Sequence, residues 1–266
     1  MRDVQNELDY REINLDRVGV NGVVYPITVM DRTNKTQDTY GKINLYVDLP
    51  KEFRGTHMSR FIEILNKHRK NVNLSSLREI LTDTKAELNA KNAHIEIEFM
   101  YFVSKKAPIS KIESLMNYVC KFIASENNNF DFVLEVDVPI HLVCPCSKEI
   151  SKFGAHNQRG VAKISIRMKK LVWIEEIIDI GEKAASAPVF ALLKREDEKY
   201  ITEQAYLNPR FVEDVARNIS LSLDKDERII WYSVEIISIE SIHNHNAYAC
   251  LSRDKRENAN KDCKHL

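Results

Sequence analysis

The sequence predicts an α+β protein built from two ββααββ units, each an antiparallel sheet with a pair of helices on one face. Several segments alternate strictly between apolar and polar residues, which is typical of strands with one buried face. Other segments repeat apolar residues with the spacing of amphipathic helices. The two kinds of segment occur in the same order twice, and the polar stretch SENNNFDF at residues 125–132 separates the repeats.

The first repeat is predicted to span residues 1–126. Its strands lie at about 18–30 and 38–48, its helices at 56–69 and 76–89, and its last strands at 93–104 and 115–125. The first helix shows its spacing at Met58, Phe61, Ile62 and Leu65. This spacing places one apolar stripe toward a sheet, as the layered architecture requires.

The second repeat is predicted to span residues 127–266 and to carry most of the candidate site residues. Strands at 131–143 and 161–169 precede helices at 171–185 and 208–223, and strands at 229–240 and 246–253 follow. We expect Asn208 to cap the last helix, with Pro209 in its first turn.

Composition limits the class of protein. The chain has 266 residues, of which 44% are hydrophobic, so a substantial core is expected. Its formal net charge is zero, which disfavours nonspecific binding to nucleic acid or to a membrane surface. Five scattered cysteines, a charged start and the lack of a long apolar run predict a cytoplasmic protein with reduced thiols.

The stretch CPCSKEISKFGAHNQRG at residues 144–160 is the first candidate site. Cys144 and Cys146 lie two residues apart just past a strand, and His156 returns after a polar loop. Three local ligands are too few for a closed structural zinc site but suit a catalytic metal with open positions. Two incidental thiols and a surface histidine are the alternative.

Two further clusters carry chemistry-bearing side chains. ESIHNHNAY contains Glu240, His243 and His245, which either form a polar hairpin end or converge on the Cys/His loop. Glu198 precedes the last predicted helix and Glu213 lies in its first turns. Each is either a partner of a helix dipole or a hard ligand or acceptor for a purine edge.

Basic residues flank the Cys/His loop. Lys148 and Arg159 lie beside it, where cations would suit a phosphate-bearing substrate, although solvated surface residues are the commoner case. The sequence contains no Walker A loop and no GxGxxG motif, so a nucleotide is not expected to bind in those ways.

Taken together, these stretches resemble the type IB GTP cyclohydrolases. The resemblance is carried by CPCSKEISKFGAHNQR, DEKYITEQAYLNPRFVED, SIHNHNAYA, YPITVMDR and RGTHMSRFIEIL, and it covers roughly residues 15–255. It implies the tunnelling fold (T-fold), a homotetramer with active sites at subunit interfaces, and conversion of GTP and water to 7,8-dihydroneopterin 3'-triphosphate and formate. This reaction is the first step of folate-type pterin biosynthesis.

The resemblance also implies residue roles. Cys144, His156 and Glu198 match metal ligands, and Cys144 also counts among the catalytic residues. Glu240, His243 and His245 match a catalytic polar cluster. Glu213 matches the carboxylate that anchors the purine, while Lys148 and Arg159 are expected to hold the triphosphate.

The implied cofactor is one divalent metal per site. A thiolate, an imidazole and a carboxylate form a ligand set of mixed hardness that accepts zinc, manganese or ferrous iron. Such a metal would activate water for attack on the purine, and the histidines and Glu240 would move protons. The alternatives are an archaeal-type cyclohydrolase with a cyclic phosphate product, a non-catalytic purine- or pterin-binding T-fold protein, and a zinc-stabilised structural protein.

Overall fold

The computed structural model describes Gln5 and residues 9–68 and 72–256. The chain divides into two compact units, one of residues 1–100 and 120–133, the other of residues 101–119 and 134–266. Three strands contribute residues to both units, so the units interleave in sequence. The division into modules 1–126 and 127–266 describes the order of the repeats, and as a domain division it stays a prediction.

The first unit contains an antiparallel sheet with two helices on it. Its elements are β1 (Leu15–Asp31), β2 (Lys35–Leu49), α1 (Met58–His68), α2 (Leu74–Leu88) and parts of β3 (Ala93–Lys106), β4 (Glu113–Glu126) and β5 (Phe130–Val143). Strand order follows the sequence. Alternate residues of β2, from Gly41 to Leu49, are buried, and the apolar stripes of α1 and α2 are buried as well. Period-two and period-3.6 patterns therefore meet in one core.

The second unit contains the remaining parts of β3, β4 and β5 and all later elements. These are α3 (Pro145–Ile150), β6 (Asn157–Met168), α4 (Ile174–Ala184), β7 (Ala187–Pro188), α5 (Arg195–Leu207), α6 (Val212–Lys225), β8 (Ile229–Ser238) and β9 (Ala247–Asp254). Within this unit the strand order is β5-β6-β8-β9, and β7 pairs with β5. α4 and α6 pack on it with buried apolar stripes.

Strand register decides which residues lie together at one end of the strands in this sheet. Leu142 pairs with Gln158, Gly160 pairs with Ser238, and Ser238 pairs with Ala247. Because neighbouring strands are antiparallel, the end of β5, the start of β6, the end of β8 and the start of β9 lie side by side at the same end of the sheet. The loops that leave this end of the sheet carry candidate site residues.

The predicted α+β class, with antiparallel strands and helices on one face, is confirmed, and each predicted helix and strand has a counterpart. Two helices were missed, the short α3 and the polar α5. The predicted cap is wrong: Asn208 ends α5, and α6 begins at Val212 after Phe211. The side-chain amide of Asn208 donates instead to the carbonyls of Ala185 and Ser186, at 3.0 and 3.2 Å.

Three cysteines of the described residues are free thiols, as predicted: Cys120, Cys144 and Cys146. Cys263 lies outside the described residues. Within the part of the chain that the structure describes, no helix has the length and apolar character needed to cross a bilayer.

Candidate active site

A cavity at one end of the strands in the second unit's sheet brings most of the predicted side chains together. Six predicted residues line it: Cys144, His156, Glu213, Glu240, His243 and His245. Leu142, Phe211, Val212 and Ala247 supply apolar parts of the wall, and Gln158, Arg210 and Ser238 add polar groups that sequence reasoning missed. Segments more than 100 residues apart in the chain thus share one cavity.

Ser147 ties the Cys/His loop together. Cys144 is the N-cap of α3 with Pro145 at the first turn, and its Sγ accepts from the N–H of Ser147 at 3.4 Å. The hydroxyl of Ser147 donates to the carbonyl of Cys144 at 3.2 Å and accepts from the N–H of His156 at 3.1 Å. The N–H of Cys144 in turn donates to the carbonyl of His156 at 3.1 Å. The loop therefore closes on itself and turns both side chains toward the cavity.

Gln158 links His156 to Glu240. The amide oxygen of Gln158 lies 3.0 Å from Nδ1 of His156, and its Nε2 donates to Oε1 of Glu240 at 3.2 Å. Ser238 donates to the same carboxylate oxygen at 2.8 Å. Hydrogen bonds with the strand residues Gln158 and Ser238 thus orient the imidazole of His156 and the carboxylate of Glu240.

The two loop histidines stack. The ring centroids of His243 and His245 are 5.1 Å apart, with an angle of 20° between the ring planes. Both side chains lie in the connection between β8 and β9 and are exposed. They are therefore open to solvent as well as to the cavity, a position from which protons can be exchanged.

Glu213 and Arg210 enter the cavity wall around the start of α6. Glu213 lies in the first turn of the helix and is exposed. The backbone N–H of Arg210 donates to the carbonyl of Val143 at 3.1 Å, which attaches this segment to the end of β5. The side-chain Nε of Arg210 is buried and has no hydrogen-bond partner among the described residues. Arg210 therefore brings an available cationic donor to a cavity rich in acceptors.

Lys148 and Arg159, the predicted phosphate-binding residues, do not line the cavity of this chain. The ammonium of Lys148 donates to the carbonyl of Tyr206 at 2.7 Å and lies 4.6 Å from the centroid of that ring. Arg159 pairs with His141 across β5 and β6 and points to the opposite face of the sheet from its neighbour Gln158. Their predicted role therefore gains no support from the geometry of one chain.

Glu198, the predicted third metal ligand, lies in the first turn of α5, is exposed, and is not in the cavity wall. It shares a helix face with Ile201 and Ala205, which pack in an apolar cluster with Val143 and Ala155. Those two neighbours directly precede Cys144 and His156. The face of α5 that bears Glu198 thus packs beside the Cys/His loop.

Asp197 anchors the start of α5. Its buried carboxylate accepts from the N–H groups of Ile109, Ser110 and Lys194 at 2.8, 2.9 and 2.9 Å, and from the hydroxyl of Ser110 at 2.6 Å. Burial acts to raise the pKa of this carboxyl, but the hydrogen bonds outweigh it and hold the pKa well below its usual range. The position of the next residue, Glu198, is therefore determined by a fully bonded carboxylate.

The residues fit a metal in part. Cys144 and His156 line one cavity, and a thiolate and an imidazole are the donors that zinc and similar ions take. Within residues 9–68 and 72–256, however, no group of three His, Cys, Asp or Glu side chains is arranged to hold an ion. The three-ligand set therefore stays a prediction.

Comparison with known proteins identifies the family. The family model described as "Type I GTP cyclohydrolase folE2" matches residues 1–249. The chain belongs to this family. GTP cyclohydrolase FolE2 of Kosmotoga olearia is 58% identical to it over 255 residues, which are 96% of this chain and 99% of that protein. The FolE2 protein of Pseudothermotoga lettingae is 55% identical over 258 residues, 97% of this chain and all of that protein.

Solved structures show the fold of this FolE2 family member. Uricase from Arthrobacter globiformis superposes with a TM-score of 0.54 at 6% identity, covering 93% of this chain and 96% of that one. Urate oxidase from Bacillus subtilis 168 gives 0.53 at 10% identity, covering 90% and 99%. At such low identity the likeness concerns the fold alone, and it confirms the predicted T-fold.

Proposed function

We propose that the chain is a type IB GTP cyclohydrolase that converts GTP and water to 7,8-dihydroneopterin 3'-triphosphate and formate, the first step of folate-type pterin biosynthesis. The observation that carries the proposal is the convergence of Cys144, His156, Glu213, Glu240 and the histidine pair on one cavity. The family match and relatives named GTP cyclohydrolase FolE2 support the same reaction.

Guanine recognition falls to Glu213. A carboxylate accepts two hydrogen bonds side by side, and N1–H and the exocyclic amine of guanine present two donors in that geometry. Arg210 supplies a cation with a free donor in the same wall, suited to an anionic or carbonyl oxygen of the substrate. The roles of Lys148 and Arg159 in binding the triphosphate stay predictions from the sequence.

Cys144 and His156 would hold a divalent metal, with Glu198 as the proposed third ligand. A metal bound there would supply Lewis acidity, which activates water and polarises the purine ring. Zinc, manganese and ferrous iron all suit the donor set, so the identity of the metal is left to experiment.

Proton transfer falls to Glu240 and the histidine pair. Two donors converge on Oε1 of Glu240 and hold in place a carboxylate that lines the cavity. Opening the imidazole ring of GTP and releasing formate both require protons at ring nitrogens, and exposed imidazoles exchange protons with solvent readily.

The proposed assembly is a homotetramer with interface active sites, in the cytoplasm, without nucleic-acid or membrane partners. The cavity of one chain holds about 280 Å³, just below the roughly 300–1,000 Å³ typical of ligand sites. A second copy that completes the wall would enclose a nucleotide better. Sedimentation of the purified protein tests the tetramer directly.

The deciding experiment is GTP turnover by chelator-treated protein with zinc, manganese or ferrous iron added back. We expect metal-dependent dihydroneopterin triphosphate and one formate per GTP, with turnover lost in Cys144→Ala and kept in the control Cys146→Ala, whose exposed thiol lies outside the cavity. A cyclic phosphate product would indicate the archaeal-type reaction. GTP binding without turnover for every metal would indicate a binding protein, and unfolding by chelator a structural zinc site.

A further inference from the structure

The amide of Gln158 has its orientation determined by its neighbours. An ionised carboxylate accepts hydrogen bonds and donates none, so the group of Gln158 that faces Glu240 at 3.2 Å must be its NH₂. The carbonyl oxygen therefore faces Nδ1 of His156 at 3.0 Å. Because that oxygen only accepts, Nδ1 must carry a proton.

A proton on Nδ1 has a consequence for the other ring nitrogen. In neutral imidazole one nitrogen donates and the other accepts, so Nε2 of His156 keeps its lone pair. Metal-binding histidines are held in this way, with the distal N–H bonded to an oxygen that sets ring orientation and raises basicity. Gln158 thus selects the tautomer of His156 that can bind a metal.

The same amide positions Glu240. Its NH₂ and the hydroxyl of Ser238 both donate to Oε1 of Glu240, at 3.2 and 2.8 Å. Two donors on one oxygen restrict rotation of the carboxylate. Gln158 and Ser238 lie on adjacent strands that the β6–β8 register holds together.

We propose that Gln158 is a positioning residue that couples the His156 side of the cavity to Glu240. One amide serves both groups, so the tautomer of the histidine and the direction of the carboxylate are set together. The proposal rests on the proposed function in one respect: the part that concerns Glu240 is read through GTP turnover. The part that concerns His156 is read through metal binding alone.

Two substitutions of Gln158 distinguish its hydrogen bond with His156 from its hydrogen bond to Glu240. Gln158→Leu removes both and keeps a similar volume. Gln158→Glu keeps an oxygen that accepts from Nδ1 of His156 but turns the donor to Glu240 into an acceptor of like charge. The matched control is Asn157→Leu, an equivalent change one residue away on the opposite face of β6, outside the cavity.

The measurements are the dissociation constant of Zn²⁺, by competition with a chromophoric chelator, and kcat and KM for GTP. For Gln158→Leu we expect Zn²⁺ binding about 10- to 100-fold weaker and a lower kcat, in line with other residues behind metal ligands. For Gln158→Glu we expect Zn²⁺ affinity within about 3-fold of the parent but kcat at least 10-fold lower, with KM little changed. Asn157→Leu should match the parent in all three.

A purely structural role for Gln158 predicts parallel losses in both variants, and that result would overturn the proposal. Parent-like Zn²⁺ affinity in Gln158→Leu would also overturn it. If the parent turns over no GTP with any metal while Zn²⁺ affinity still separates the two variants, the proposed function fails and the role toward His156 stands. Should Gln158→Leu not fold, loss of Zn²⁺ affinity in Gln158→Glu would contradict the proposal.

Discussion

A largely buried ion pair between Lys105 on β3 and Glu182 on α4 allows a quantitative prediction of stability. The ammonium of Lys105 donates to Oε1 of Glu182 at 2.6 Å and to the carbonyl of Val189 at 2.6 Å. Tyr118 donates to the same carboxylate oxygen at 2.8 Å. The side chains of Lys105 and Glu182 are only 14% and 13% exposed. Glu182→Ala would remove the acceptor that Lys105 and Tyr118 share.

The magnitude follows from burial. Removing one partner of a buried pair costs about 3–5 kcal/mol, because the remaining charge is desolvated and uncompensated. Both groups retain some exposure and Lys105 keeps Val189, so we expect about 3 kcal/mol for Glu182→Ala. Glu182→Gln keeps an acceptor but loses the charge, and should cost about 1–2 kcal/mol.

The pKa of Lys105 provides an independent signal. Burial lowers the pKa of this ammonium, and the charge of Glu182 opposes the shift. Without Glu182 the pKa should fall further, so the native state holds its proton less tightly than the unfolded chain. Stability of Glu182→Ala should therefore rise with pH over a wider range below 10.5 than that of the parent.

Equilibrium urea unfolding, followed by circular dichroism at one protein concentration, measures these costs. The matched control is Glu203→Ala on α5, which breaks an exposed Lys199–Glu203 pair of similar length, 2.8 Å, with side chains 73% and 58% exposed. Exposed pairs contribute little, so this change should cost less than about 0.5 kcal/mol. Equal costs for Glu182→Ala and Glu203→Ala would refute the reasoning from burial.

Three further predictions concern other sites. Arg210→Ala should raise the KM for GTP about 10- to 100-fold with a smaller change in kcat, because the substrate loses one charge-assisted hydrogen bond. An unchanged KM would contradict this role of Arg210. Gly160→Ala places a Cβ 2.7 Å from the carbonyl of Ile237, so unfolding free energy should fall by about 1–3 kcal/mol, measured in urea. Hydrogen bonds from Arg228 lower the pKa of Asp226 below its usual value of 3.8. The ionised carboxylate therefore stabilises the fold fully above that pH, and this stabilisation is lost as the pH falls through the lowered pKa. Between about pH 6 and pH 2 the melting temperature of Asp226→Asn should therefore fall less than that of the parent.

Local pattern was enough to predict most elements. Strands such as β5 and β6 alternate strictly, and α1, α4 and α6 carry wide apolar stripes, so their periods are visible without any partner. α5 was missed because only Asp197, Ile201 and Ala205 of its 13 residues are buried. α3 has six residues, too few for a period to be seen.

The prediction that Asn208 caps the last helix was wrong because α5 was not recognised. Asn and Pro before an apolar run are typical of a helix start, but the same asparagine ends the preceding helix and bonds to two distant carbonyls. A helix end and a helix start lie a few residues apart here. The polarity of α5 hid the first of them from sequence reasoning.

The sequence by itself determined the order and type of the main elements and the residue types of the site, because periodicity and motif spacing are local properties of the chain. Only the tertiary structure decided that Gln158, Arg210 and Ser238 belong to the cavity and that Lys148 and Arg159 lie outside its wall. The positions of Gln158, Ser238 and Arg159 depend on hydrogen-bond register between neighbouring strands, where a shift of one residue would turn every side chain to the other face. Arg210 and Lys148 are placed by hydrogen bonds to Val143 and Tyr206, which are distant in sequence.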